Sequence, residues 1–168
     1  MNYKPILNKI KPSTKEKEEV HKISNELINY LNQLFNEKNI NAEAILVGSV
    51  AKNTFLRGKS DIDIFINFPL STDINDLKEL GLKIAYKCSE NFNGKAEEHY
   101  ASHPYLTSVI NGYDVDFVPC YKIKSADELK SAVDRTLLHT KYIRSHLKEE
   151  QKDEVLLLKK FMTEIGTY

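Results

Sequence analysis

Apolar residues recur every three or four positions between residues 12 and 40, a spacing typical of a long amphipathic helix. Ser13 followed by Glu16 matches a capping box at its start. The apolar positions on the predicted buried face are Val20, Ile23, Leu27, Leu31 and Leu34.

Two apolar runs after this helix have the pattern of β-strands. The first covers residues 44–49 and stops at Gly48, and the second covers residues 60–69 and is closed by Pro69. In the second run isoleucines alternate with Asp61, Asp63 and Phe65. Because side chains of a strand point to alternate faces, both carboxylates are predicted on the face opposite the isoleucines.

The rest of the chain predicts one more helix, three strands and a helical end. Residues 71–92 have helical spacing, with Ile74, Leu77, Ile84 and Cys88 on one side and a weak point at Gly81. Strands are predicted over 95–100, 105–110 and 113–119, and Asn111-Gly112 joins the last two as a hairpin. Helices are predicted over 126–134, 137–147 and 152–166. The order predicts an α+β domain with a mostly antiparallel or mixed sheet flanked by helices.

Composition narrows the class of protein. The 168 residues suit one domain, and 24 Lys and Arg balance 24 Asp and Glu, which argues against a strongly basic module that coats nucleic acid. Two cysteines without metal-binding spacing argue against a disulfide scaffold or a zinc finger. No signal peptide and no apolar run of about 20 residues is present, so we expect a cytoplasmic protein without a membrane partner.

The paired carboxylates of the second strand call for a compensating charge. Two like charges a few ångströms apart repel by roughly 4 kcal/mol at an effective dielectric of about 20, and a divalent cation would offset this. The later strand offers Asp114 and Asp116 on one face. If it pairs beside the Asp61–Asp63 strand, one of these carboxylates faces the pair. Carboxylates so placed suit two metal ions about 3.5–4 Å apart, as used in nucleotidyl transfer.

Gly48-Ser49 suits the phosphate side of that chemistry. Glycine lets a backbone approach closely, amide groups at a helix start attract anions, and the Ser49 hydroxyl and Lys52 ammonium would add contacts. Taken singly, a Gly-Ser pair is more often a plain turn, and a D-x-D strand or an acidic hairpin more often a solvated face. Their order along the chain is what favours metal-bound triphosphate chemistry.

This order resembles the DNA polymerase β-like nucleotidyltransferase superfamily, and more narrowly the catalytic domain of archaeal, class I CCA-adding enzymes. The matching segments are 47–69, 103–124, 130–142 and 153–168, and the narrowest motifs are HPY, VDFVPCY, SAVDRT and LLKKFM…GTY. The resemblance implies a polymerase β-like palm fold. It also implies addition of C, C and A to the tRNA 3′ end from CTP and ATP, with two Mg²⁺ ions.

The same resemblance implies roles for single residues. The metal-binding, catalytic carboxylates would be Asp61, Asp63 and Asp116, the last because it directly precedes the FVPCY segment. His103 would lie close to the active site. The nucleotide-binding positions would be Gly48, Ser49, Lys52, Thr136, His139, Lys159 and Tyr168.

The chain departs from the family pattern in three side chains and in length. Lys52 replaces a common arginine, Leu137 a proline and Ser102 a glutamate, and no proposed metal ligand is lost. The family continues into further domains that grip the tRNA acceptor end. We therefore expect residues 1–150 to form the catalytic domain and 151–168 a helix leading into the others.

The apolar stripe of this last helix suits either the core of the domain or a neighbouring domain. If it is exposed, self-association is expected. The stripe comprises Val155, Leu156, Leu158, Phe161 and Met162.

Two other functions stay open at this point. The length would also suit a stand-alone minimal nucleotidyltransferase that modifies a small molecule or a protein, or a non-catalytic module that binds nucleotides. A D-x-D glycosyltransferase is remote, because the chain has no larger sugar-nucleotide domain.

Overall fold

The computed structural model describes residues 3–101 and 104–167, which form helices packed on a mixed sheet. The α-helices in these residues are α1 Lys4–Ile10, α2 Thr14–Glu37, α3 Gly48–Lys52, α4 Ile74–Asn91, α5 Arg135–His146 and α6 Glu149–Glu164. The strands are β1 Glu43–Val47, β2 Ile62–Phe68, β3 Lys95–Tyr100, β4 Pro104–Ile110 and β5 Tyr113–Tyr121.

The five strands form one sheet in the order β1-β2-β5-β4-β3. β2 and β5 are parallel, and all other neighbours are antiparallel, so the predicted α+β class with a mixed sheet is confirmed. Asn111 and Gly112 both have positive φ, 52° and 83°, as a two-residue hairpin turn between β4 and β5 requires.

Both faces of the sheet are covered. The isoleucines of β2 belong to the main core beneath α2 and α4. On the opposite face Val47, Phe65 and Cys120 form a second buried cluster, against which Val133 and Leu137 pack. Asp63 therefore lies on a face that is buried farther along the same strand, and is only partly exposed itself.

The start of α2 confirms the predicted cap only in part. Ser13 Oγ accepts a hydrogen bond from the Glu16 backbone N–H at 3.1 Å. The Glu16 carboxylate does not complete the capping box, because it accepts from the Gly58 N–H at 2.7 Å. It thereby ties α2 to the loop that precedes β2.

α4 is continuous through the predicted weak point. A Cβ at Gly81 would lie 2.5 Å from Pro119 Cγ, so the glycine permits close packing of the helix on β5. The predicted apolar side of α4 is not buried along its whole length, because Leu77 is buried whereas Ile74, at the first turn, is 40% exposed.

The helix predicted over 126–134 is also wrong, since only a 3₁₀ turn at Ala126–Glu128 forms there. The segment is instead organised around Asp134, whose carboxylate is fully buried. Asp134 accepts hydrogen bonds from the backbone N–H groups of Tyr121, Lys130 and Ser131, at 2.9, 3.1 and 2.7 Å. These bonds fasten the start of α5 to the end of β5.

Some apolar side chains of α6 are buried and others are exposed. Leu156 is buried against Ile10 and Leu56, whereas Leu158 and Phe161 are 57% and 59% exposed. The core interpretation therefore holds for Leu156, whereas a neighbouring domain over the exposed residues, and self-association, stay predictions. None of the helices in the described residues is long and apolar enough to span a bilayer.

Candidate active site

The site begins where β1 passes directly into α3. Gly48, the junction residue, has φ +68°, a backbone conformation that favours glycine. A Cβ there would lie 1.7 Å from Asp63 Oδ2, which is an overlap. Glycine is therefore required twice at this position, once for the turn and once for the close approach of the Asp63 carboxylate.

The pairing of β2 with β5 brings carboxylates from distant parts of the chain together. Asp63 and Asp116 are direct partners in this parallel pair, where strand backbones lie about 4.8 Å apart. Asp61 immediately precedes β2 and shares the face of Asp63 by strand alternation. Asp114 lies two residues before Asp116, on its face, and is exposed.

The carboxylates influence each other's ionisation. Burial, and then the negative charges of Asp116 and Asp61, raise the pKa of Asp63 from 3.8 to about 6. The pKa of Asp61 is raised as well, by partial burial and by Asp114 and Asp116. The amino-terminal ends of β2 and β5 therefore carry negative charges that neighbouring lysines offset only in part.

The donor chemistry fits a divalent cation, although the ligand geometry is not assembled. Carboxylate oxygens are the ligands that Mg²⁺ prefers, and a cation would reverse the repulsion seen at Asp63. Within residues 3–101 and 104–167, no three His, Cys, Asp or Glu side chains are gathered closely enough to hold a metal ion. The metal-binding role of Asp61, Asp63 and Asp116 stays a prediction.

Two lysines from different helices face the carboxylates. The pKa of Lys52, at the end of α3, is lowered overall. Partial burial and the charge of Lys159 lower it, and the charge of Asp63 opposes them only in part. Lys159 on α6 donates a hydrogen bond to the Thr54 carbonyl oxygen at 2.9 Å. Its charge also lowers the pKa of Asp61 and Asp63. The structure thus brings together two predicted nucleotide-binding cations that are far apart in the sequence.

The remaining predicted site residues lie on α3, on α5 or outside the described residues. Ser49 is half-buried in α3, beside Gly48. Thr136 is half-buried and His139 exposed on α5, which packs on α3. Tyr168 and His103 lie outside the described residues.

Sequence reasoning missed Thr107, which lies opposite Asp116 in the β4–β5 hairpin. Its Oγ1 donates a hydrogen bond to Asp116 Oδ1 at 2.6 Å. A signal for it was present, because the two-residue turn at Asn111-Gly112 sets the register of the hairpin. Counting outward from that turn pairs residue 107 with residue 116.

Comparison with known proteins places the fold among nucleotidyltransferases. A family model described as "Nucleotidyltransferase domain" matches residues 24–143. The chain is also similar in fold to solved structures, at 17–20% identity. One is an E. coli CdnC:HORMA complex, with a TM-score of 0.69 over 94% of this chain and 55% of that one. Another is the Cid1 poly(U) polymerase bound to MgATP, with a TM-score of 0.68 over 95% and 46%.

Curated relatives are much closer in sequence. The CCA-adding enzyme of Methanothermobacter thermautotrophicus is 58% identical over 99% of this chain, and that of Methanocaldococcus jannaschii 44% over 98%. The chain spans 37% of the length of each of these two proteins. A CCA-adding enzyme from Thermoplasma acidophilum is 40% identical over all of this chain, which spans 73% of it.

Proposed function

The chain belongs to the nucleotidyltransferase domain family and, within it, to the CCA-adding enzymes, and we propose that it performs their chemistry. In this proposal it transfers nucleotides from CTP and ATP to the 3′ end of tRNA without a template, with Mg²⁺. The observation that carries the proposal is the side-by-side position of Asp63 and Asp116, with Gly48 against the Asp63 carboxylate.

In the proposed reaction the 3′-hydroxyl oxygen of the RNA attacks the α-phosphorus of the incoming nucleotide, its proton passes to solvent, and the bond from the α-phosphorus to the pyrophosphate oxygen breaks. Divalent cations held by Asp61, Asp63 and Asp116 would stabilise charge on the phosphate oxygens and acidify the attacking hydroxyl. Lys52 and Lys159 offset the charge of the triphosphate. The hydrogen bond from Lys159 to the Thr54 carbonyl fixes α6 to the segment that follows α3.

Other residues have proposed positions around the nucleotide. The Gly48-Ser49 backbone and the Ser49 hydroxyl meet the phosphates, and Thr136, His139 and Tyr168 contact the nucleotide. In the longer relatives, we propose, residues 1–150 act as the catalytic domain, and the helix that follows leads into domains that grip the tRNA acceptor end. The chain spans 37% of two of those relatives, which leaves room in them for such domains.

Radiolabel transfer tests the proposed function. We expect the chain, incubated with Mg²⁺, labelled CTP or ATP and tRNA that lacks its terminal nucleotides, to place the label on the RNA 3′ end. Label on a protein or small molecule would favour the stand-alone transferase. Tight nucleotide binding by calorimetry without pyrophosphate release would favour a non-catalytic module.

Thr107 provides a test of how Asp116 is oriented. Thr107→Val keeps the shape of the side chain but removes the hydroxyl that donates to Asp116 Oδ1. Losing such a support of a ligating group typically costs about 10- to 100-fold in activity or metal affinity. We expect that loss in nucleotide transfer, together with weaker binding of Mn²⁺ measured by calorimetry in the absence of nucleotide.

Thr107→Ser is the matched control, because it retains the donor and should stay within about threefold of the parent chain in both measurements. If the serine variant, which keeps the donor, loses as much activity as the valine variant, loss of the hydrogen bond does not explain the effect, and the positioning role is wrong.

A further inference from the structure

A cleft of about 590 Å³ lies between α5 and the edge strand β1. Its volume falls within the range of about 300–1,000 Å³ that is usual for sites that bind small molecules. The carboxylates of the candidate active site do not line this cleft, so it is a separate cavity. Much of its wall is apolar, and the apolar side chains are Ile45, Leu46, Val47, Ile123 and Leu137.

Two buried polar side chains on the wall of this cleft carry an atom without a partner. Asn67 is 1% exposed and Thr140 is 5% exposed, and both line the cleft. The thiol of Cys120 donates a hydrogen bond to Asn67 Oδ1 at 2.8 Å. Asn67 Nδ2 and Thr140 Oγ1 have no hydrogen-bond partner among the described residues. Because leaving a buried polar group unpaired is costly and rare, these two atoms indicate a bound partner.

The same cleft carries an excess of positive charge. The charged residues Glu43 and Lys122 line it, but they form an ion pair at 2.7 Å and offset each other. The surplus therefore comes from Lys141 and Arg144, which line the cleft and are exposed. A ligand that is complementary to this cleft carries a negative charge where it meets these two cations.

The α5 side of the cleft changes in character from its inner part to its mouth. Leu137, Thr140, Lys141 and Arg144 follow one another at positions i, i+3, i+4 and i+7, which lie on one face of a helix. Leu137 packs on the second buried cluster of the sheet, Thr140 is buried, and Lys141 and Arg144 are exposed. The inner part thus offers apolar surface and hydrogen-bond donors, and the mouth offers cations.

We propose that this cleft binds a small organic anion that has an apolar ring, a carbonyl oxygen at one end and a carboxylate at the other. The carbonyl oxygen, with its two lone pairs, accepts hydrogen bonds from Asn67 Nδ2 and Thr140 Oγ1. The ring packs on the apolar walls. The carboxylate binds Lys141 and Arg144, since charge-assisted hydrogen bonds to a guanidinium are among the strongest in proteins. The inference goes beyond the proposed function, because neither nucleotide nor RNA takes part in it.

Occupation of the cleft should restrain α5. This helix carries Thr136 and His139 and packs on α3 as well as on β1. A ligand that contacts both walls adds interactions between α5 and the sheet, and it stabilises the closed arrangement by mass action. We therefore expect slower hydrogen exchange of the α5 amides when the ligand is bound, with no change in α4.

Titration of the full chain with 4-acetylbenzoate, followed by the chemical shifts of the backbone amides, tests the proposal. We expect shifts in β1, in α5 and at the end of β2, with a Kd of about 1 mM, which is ordinary for about a dozen heavy atoms. Acetophenone, which lacks the carboxylate, should bind at least about fivefold more weakly. Shifts centred on α3 that CTP reverses would place the probe in the candidate active site and overturn the proposal. The absence of shifts around the cleft up to about 20 mM probe would also overturn it.

Thr140→Val removes the unpartnered hydroxyl and keeps the shape of the side chain. We expect about fivefold weaker binding of 4-acetylbenzoate, and a Tm of the ligand-free chain that is unchanged or higher, because an unsatisfied group is lost. Binding equal to that of the parent chain would overturn the proposed site. A lower Tm together with unchanged binding would assign the hydroxyl to a bound water instead.

Arg144→Gln tests the charged mouth of the cleft. We expect it to bind 4-acetylbenzoate about tenfold more weakly and acetophenone as the parent chain does. The matched control is Arg135→Gln, which removes the same charge from an exposed residue of α5. At about 100° per residue, these two arginines lie on opposite sides of the helix, so the control should stay within about twofold of the parent chain. Equal losses in the two variants would attribute binding to net charge and overturn the proposal.

Discussion

Asp63→Asn is expected to reduce nucleotide transfer to tRNA by more than about a thousandfold while making the cation-free protein more stable at neutral pH. The loss of activity follows from removing a proposed metal ligand at the centre of the site. The gain in stability follows from the raised pKa of the carboxyl group, which shows that its charged form is disfavoured in the folded chain.

The sign of the stability effect depends on pH. An ordinary Asp titrates near 3.8, and Asp63 titrates at about 6 in the folded chain. Between these values the folded state binds more protons than the unfolded state, so the free energy of unfolding falls as the pH rises. About two pKa units correspond to about 3 kcal/mol, a cost that is fully present above pH ~6 and absent below pH ~4.

Urea unfolding in the presence of a chelator measures this cost. The free energy of unfolding of Asp63→Asn should exceed that of the parent chain by about 2–3 kcal/mol at pH 8, and the difference should vanish near pH 4. Asp114→Asn is the matched control, since this exposed carboxylate lies at the same end of the sheet but is not a proposed ligand. It should retain transfer. Loss of transfer in Asp114→Asn with retention in Asp116→Asn would show that the wrong member of the pair was assigned.

Asp134→Ala is expected to destabilise the chain by about 3–5 kcal/mol. The buried carboxylate accepts three backbone N–H groups, and its removal leaves donors without partners at about 1–3 kcal/mol each. Because these bonds fasten the start of α5 to the end of β5, the loss should also release α5 from the sheet. Urea unfolding gives the free energy, and hydrogen exchange of the α5 amides reports the local release.

Two further variants serve as controls for Asp134→Ala. Asp127→Ala removes an exposed carboxylate from the same segment and should change stability by less than about 0.5 kcal/mol. Asp134→Asn keeps one acceptor, so its stability should fall between those of the alanine variant and the parent chain. A loss below about 1 kcal/mol in Asp134→Ala would mean that the buried bonds are replaced by water.

Local patterns were enough to predict much of this fold. The hairpin between β4 and β5 followed from Asn111-Gly112, since that turn defines its own register. The long helix α2 followed from its apolar spacing and from Ser13 at its cap. The region 126–134 misled the same reasoning, because helical spacing there competes with the hydrogen bonds that gather its backbone around Asp134.

The acidic side chains of the candidate site could be identified from the sequence, but their assembly could not. Alternation along β2 indicated that Asp61 and Asp63 share a face, and this is a local property of any strand. Which later carboxylate joins them could be approached from sequence only through family resemblance. The parallel pairing of β2 with β5 makes Asp116 the partner of Asp63. Asp114 lies two residues nearer the start of β5.

The sequence by itself determined the register of the hairpin, the acidic face of β2 and the glycine at the end of β1. These depend on backbone geometry over a few residues. Only the tertiary structure decided that Lys159 reaches the Thr54 carbonyl from 105 positions away, and that the Asp63 carboxylate occupies the space a Gly48 Cβ would fill. Such contacts depend on how helices pack on both faces of the sheet, and no local pattern along the chain encodes that packing.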